Sequence, residues 1–229
     1  MLRLLLFILL FPIVSTGQNT IGLPDVINYS KQAYSGGLQN WDCTQDKNGI
    51  IYFANNEGLL SFDGRFWNIY PLPNRTIVRS VKIGNDNRIY VGGQDEIGYF
   101  SPASNGRLAY HSLVSLIPEK DHSFGDVWDI VALNKDIFFR SPNKIFRFTN
   151  ETVASFIAPV EWSFMGSFNG KLYAHDYNKG VMVFKNDSFS PLEDNILQVS
   201  DPVTAIIPQN GDTALVTTLK RGLYKLTGS

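Results

Sequence analysis

The sequence predicts an all-β chain built from about five copies of a four-stranded antiparallel sheet. Three observations carry that reading. Short runs of Phe, Tyr, Val, Ile and Leu are separated by Asn-Gly, Asp-Gly and related pairs. These are the strongest short-range hairpin signals, because both central residues of the tight turn need positive φ. The runs recur in register: candidate second strands begin at Ile51, Ile89, Ile137, Leu172 and Ala214, at intervals of 38, 48, 35 and 42 residues. And no segment carries apolar residues at i, i+3, i+4 and i+7 over three turns, which excludes stacked helical repeats. A repeat near 40 residues with four short strands per unit is the pattern of a β-propeller. One sheet cannot cover either of its faces alone, and packing sheet on sheet around an axis buries both.

The elements follow in order. Arg3 and the apolar run 4–14, followed by Ser15-Thr16-Gly17, read as an export signal cleaved after Gly17. The run is short of the roughly 20 apolar residues that span a bilayer. A periplasmic or secreted location is therefore expected, with no other membrane-crossing segment. Residues 18–40 form a polar lead-in with one extended piece at 26–29, a candidate ring-closing strand. Blades are expected at about 41–74, 75–125, 126–159, 160–200 and 201–229, the second holding a long outer connection at 101–124. The fifth unit shows no fourth strand. Either the lead-in supplies it and closes a five-bladed ring, or the chain is the front portion of a larger, truncated propeller.

Composition limits the function. Net charge is −1 and no Lys/Arg stripe occurs, so no nucleic-acid partner is expected. A single cysteine, Cys43, excludes an intrachain disulfide and reads as a buried, inert thiol on the first strand. His111, His122 and His175 are scattered without metal-ligand spacing, and neither a phosphate loop nor a Gly-x-Ser-x-Gly elbow is present. No catalytic residue, metal or cofactor is assigned, and the chain is read as not being an enzyme. A carboxylate pair for glycoside cleavage stays open, since acids are common in the turns. The Asn-x-Ser/Thr triplets at Asn28, Asn74, Asn150 and Asn186 read as turn composition.

Aligning the units on their turns places Trp41, Arg79, Trp128, Trp162 and Val203 at the start of successive first strands. Trp128-Asp129 repeats Trp41-Asp42. In an up-and-down blade the first strand lies nearest the axis, and its entry shares a face with the connection between the second and third strands. The predicted ligand mouth is therefore Trp41, Arg79, Trp128 and Trp162 with Asn56, Glu57, Asp95, Glu96, His175 and Asp176 from the loops. Flat aromatic platforms beside amides and acids suit an oligosaccharide or another polar small molecule. Repeat core competes with this reading. Burying a Trp removes about 200 Å², worth roughly 5 kcal/mol, so packing alone accounts for a repeated Trp.

The lead residues Asn28, Tyr29, Ser30, Gln39, Asn40, Trp41 and Asp42, followed by Asn55, Gly58, Leu59, Phe62, Asp63 and Gly64, carry a resemblance. This stretch resembles the opening of the periplasmic sensor region of Bacteroidetes-type two-component-regulator propeller proteins, which often bear a triple-tyrosine domain. The match is specific over residues 27–67 and looser beyond. The resemblance implies an exported sensor propeller that shifts conformation on binding a polysaccharide breakdown product. It also implies further blades, an immunoglobulin-like domain, a membrane helix and a transcription-factor or kinase output able to form a homodimer. None of these lies within the present residues. A secreted propeller enzyme acting on carbohydrate and a protein-interaction scaffold are the alternatives.

Overall fold

Turn chemistry sets the first sheet in the computed structural model, which describes residues 22, 26–192 and 199–227. The Asp46 carboxylate accepts the N–H groups of Asn48 and Ile50 at 2.9 and 3.0 Å, and Gly49 turns at φ 87°. Asp63 repeats the device, accepting from Arg65 and Phe66 before Gly64 at φ 93°. Such Asx turns leave the flanking β-prone runs no choice but to pair. The result is β1 (Asn40–Gln45), β2 (Ile51–Asn55), β3 (Gly58–Phe62) and β4 (Trp67–Tyr70), in sequential antiparallel order.

Three more sheets share that topology. The second is β5 (Val78–Ile83), β6 (Ile89–Gly93), β7 (Glu96–Pro102) and β8 (Leu108–Ser112). The third is β9 (Asp129–Leu133), β10 (Asp136–Arg140), β11 (Lys144–Thr149) and β12 (Thr152–Ile157). The fourth is β13 (Trp162–Phe168), β14 (Lys171–Asp176), β15 (Gly180–Lys185) and β16 (Ser188–Pro191). A fifth holds three strands among the described residues, β17 (Val203–Pro208), β18 (Thr213–Thr218) and β19 (Gly222–Thr227). Asn150-Glu151 and Asn186-Asp187 each hold two consecutive positive φ values, the backbone that a two-residue hairpin demands.

The first strands β1, β5, β9, β13 and β17 are successive neighbours along an axis, so the fold is a β-propeller array. Four apolar seams lie between the five sheets. Tyr52, Leu59 and Val78 pack in the first, and Tyr90, Phe139 and Phe146 in the second. Phe138, Trp162 and Leu172 fill the third, and Tyr173, Val203 and Val216 the fourth.

The outer connection at 101–124 contains β8 and two 3-10 turns, Val114–Leu116 and Glu119–Asp121. Leu113, Ile117 and Phe124 from it are buried in the second seam, which explains its length. Among the described residues, the lead-in adds no strand to the fifth sheet. It carries one helical turn, α1 (Lys31–Tyr34), and Tyr29 packs on Phe62 and Trp67 of the first sheet at 5.1 and 5.4 Å. Tyr34 joins it against Trp67 at 5.5 Å. The proposed export signal at 1–17 lies outside the described residues. Among those described, no helix is long and apolar enough to cross a membrane.

Candidate functional site

A bulge re-aims one side chain at the start of four of the five first strands. It falls between Asn40 and Asp42, Val78 and Ser80, Trp162 and Phe164, and Val203 and Ala205. In the third sheet Trp128 N–H donates to the Arg140 carbonyl at 2.9 Å, just ahead of the Asp129–Arg140 pair. That gives Trp128 the same place. The bulged positions are thus Trp41, Arg79, Ser163 and Thr204, with Trp128 at the equivalent place in the third sheet. An extra residue in one strand turns its side chain out of the sheet's alternation, here toward the axis.

Three of these meet. The Arg79 guanidinium lies 4.2 Å from the Trp41 ring centroid and 5.0 Å from that of Trp128. The two indoles stand edge to face at 5.8 Å. Asp126 pairs with Arg79 at 3.2 Å, and Asn56 accepts the Trp41 indole N–H at 2.7 Å. Each partner fixes one member of the stack. A cation held between two aromatic faces contributes on the order of 1–2 kcal/mol per contact when shielded from water. Trp41 and Trp128 keep 39% and 38% of their surface open.

Beside the stack lies a cavity of about 360 Å³ along the axis, walled by β1, β5, β9 and β13. Asp42, Thr44, Lys82 and Asp129 supply its polar lining, with Met165 and Ile130 among its apolar residues. Asp42 accepts N–H groups from Cys43 at 2.8 Å and Val81 at 3.0 Å. The channel wall's desolvation raises its carboxyl above the ordinary 3.8, while those two donors pull the other way. Cys43 is exposed and lines the cavity, which corrects the expectation of a buried thiol.

The other predicted residues do not join the mouth. Trp162 is 1% exposed, packed against Phe189 at 5.0 Å in the third seam, and is core rather than a platform. Glu57 is exposed in its turn, and Asn56 reaches the site only through Trp41. Asp95 fastens the chain entering the third sheet, accepting from Phe124 and Gly125, both at 2.6 Å. Glu96 is buried on β7, holding Tyr110 at 2.8 Å and Ser112 at 2.6 Å. Burial works to raise the Asp176 carboxyl, but N–H donors from Val160, Glu161, Asn178 and Lys179 outweigh it and hold the group below 3.8. His175 is fully buried, its Nδ1 2.8 Å from Ser163 Oγ. Asp42, Thr44, Lys82, Asp129, Ser163 and Thr204 were missed. The repeated Trp-Asp pair was the one sequence signal pointing at two of them.

No protein-family model matches the chain, and no curated protein matches it in sequence. Solved structures do share its fold. The chain is similar to a catalytically inactive virginiamycin B lyase from Staphylococcus aureus with quinupristin: TM-score 0.63, 20% identity, 82% of this chain and 66% of that one. It is similar to a B. thetaiotaomicron extracellular domain assigned to the hybrid two-component system BT3049: TM-score 0.64, 14% identity, 92% of this chain and 29% of that one. A second B. thetaiotaomicron extracellular domain, assigned to BT4673, gives TM-score 0.61 and 20% identity over 83% of this chain and 27% of that one. The chain therefore spans just under two thirds of the lyase and under a third of the sensor proteins. The reading of the chain as a non-enzyme is corrected by these likenesses. The same fold is that of lyases over most of their length, so a missing sequence motif for catalysis excludes nothing.

Proposed function

We propose that the axial cavity recognises a ring-bearing polar small molecule of carbohydrate type, and that the chain is the recognition propeller of an exported protein. The observation that supports this most is the pair of half-open indoles, Trp41 and Trp128, standing over a cavity with Asp42, Thr44 and Lys82 on its wall. Its volume, about 360 Å³, is within the roughly 300–1,000 Å³ usual for small-ligand sites. Aromatic faces cover the apolar side of a sugar ring, while the acid, hydroxyl and ammonium hydrogen-bond its hydroxyls. Because the wall is shared by four sheets, a ligand that prefers one arrangement of them biases that arrangement, which is what a sensor requires. A second reading, in which the bound molecule is also turned over, draws support from the lyases, of which the chain spans 66% against 27% and 29% for the sensor domains.

Calorimetry against neutral and acidic oligosaccharides, with quinupristin included, tests the proposal. Binding heat is expected, with affinity lowered roughly tenfold in Trp41→Ala and in Trp128→Ala, the scale of one lost stacking contact. Heat from no compound, or heat indifferent to both substitutions, removes the axial site. Mass spectrometry of the same mixtures separates the two readings: a new product establishes turnover, and unchanged ligand leaves recognition alone.

A further inference from the structure

The residue after each bulge decides how a sheet is fastened to the next. Asp42 of the first sheet accepts Val81 N–H of the second at 3.0 Å. Ser80 of the second donates to the Val127 carbonyl, on the chain entering the third, at 2.8 Å. Asp129 of the third accepts Met165 N–H of the fourth at 2.8 Å. In the fourth sheet this position is Phe164, which has nothing to offer. A polar contact that does link the fourth and fifth sheets, Asn169 to Asp212, is 3.3 Å long and exposed.

What this junction has instead is a buried histidine. His175 on β14 is 0% exposed, and its Nε2 is enclosed with no hydrogen-bond partner among the described residues. Its ring lines a narrow cavity between the two sheets, walled by Phe164, Val203, Val216 and Leu226. The free space is about 20 Å³, and apart from His175 and Tyr173 its lining is apolar. An imidazolium there has no acceptor for its second proton. The ionisable groups around it are Asp176, Asp201, Tyr173 and Tyr177. Asp176 is saturated by four backbone donors, and Asp201 is engaged by Thr218 and Lys220. Burial lowers His175 below its ordinary 6.5 against the pull of those two carboxylates.

We propose that the junction between the fourth and fifth sheets is an acid-sensitive hinge: as pH falls, His175 takes a proton by parting the junction, and β17–β19 open while the first four sheets stay assembled. The closed state binds fewer protons than the open one, so the junction is fully stable above about pH 6.5 and weakens as pH drops through that value. Once water enters, Asp176 and Asp201 favour the charged ring, which stabilises the open form further.

Hydrogen exchange of the full chain at about pH 7.5 and about pH 5.5, corrected for intrinsic rates, reads this directly. Protection of β17–β19 is expected to fall about tenfold, since one proton gained on opening shifts the equilibrium by up to tenfold per pH unit. Strands β1–β12 keep theirs. In His175→Gln and His175→Phe the acid-dependent loss disappears. The proposal is overturned if β17–β19 are indifferent to pH, if all sheets lose protection together, or if the loss persists in either folded variant. Should neither variant fold, NMR of the unmodified protein decides. A His175 ring that charges only as the β17–β19 amides open supports the hinge; one that charges at its ordinary value in the closed state rejects it.

Discussion

The junction between the third and fourth sheets and the one between the fourth and fifth are built on the same repeat and held by opposite chemistry. In the former, Arg140 is 6% exposed and reaches across the seam. Its Nε donates to Asp129 at 2.5 Å and its Nη1 to the Trp162 carbonyl at 2.7 Å. Trp162 N–H returns a bond to the Pro142 carbonyl at 2.7 Å, and Asp129 also takes Met165 N–H. Farther out, Arg147 pairs with Asp187. In the latter, apolar side chains meet across a small gap, and the His175 ring buried beside it is only half satisfied. Apolar burial has no preferred direction, whereas a charge-assisted network has a single geometry. Two seams of similar hydrophobic content can therefore differ in how firmly they fix one sheet on the next.

The largest test breaks the firm junction. Asp129→Ala leaves the Arg140 charge buried with a carbonyl as its remaining partner across the seam. Removing one member of such a pair costs about 3–5 kcal/mol. Chemical denaturation should show that loss, and a value below about 1 kcal/mol would mean the network does not distinguish the two seams. Replacing both partners by apolar residues, Asp129→Leu with Arg140→Met, is expected to recover most of it, because the stranded charge goes too. A smaller effect belongs to Ser80→Ala at the second junction. It strips the Val127 carbonyl of a buried donor, at about 1–3 kcal/mol.

Why the two seams differ was only partly visible in the chain. The strands and turns were, because Asn48-Gly49, Asp63-Gly64 and their relatives satisfy a local steric demand that no distant residue can override. The bulges were not. Counting back from the turn glycine equates Trp41 with Trp162, since Gly49 and Gly170 each follow at the same distance. Yet the first sheet closes its turn over residues 46–50, capped by Asp46, and the fourth closes in two residues, Asn169-Gly170. The shorter turn, less one extra strand pair, moves the bulge one place, so Ser163 takes the axial position and Trp162 goes into the core. A one-residue slip reverses every side chain of a strand, which is why platform and packing residue changed places. The bridging role of Asp42 and Asp129 was equally hidden. Each binds an N–H 39 or 36 residues away, a pairing that no local pattern contains.

The finest test strengthens the weak junction instead of breaking the firm one. Val216 is 3% exposed and walls the gap beside His175. Val216→Ile keeps the β-branch that the strand favours and adds one methylene toward a space of about 20 Å³. Filling it should stabilise the fold by about 0.8 kcal/mol, the worth of one buried methylene. The same methylene at Val131, in the third seam and on the wall of neither cavity above, would overpack at about 1–3 kcal/mol. Measured side by side by denaturant titration, the two Val→Ile changes should therefore differ in sign. Equal and unfavourable effects would show that the gap between the fourth and fifth sheets closes on its own, leaving His175 packed as tightly as any residue of the third seam.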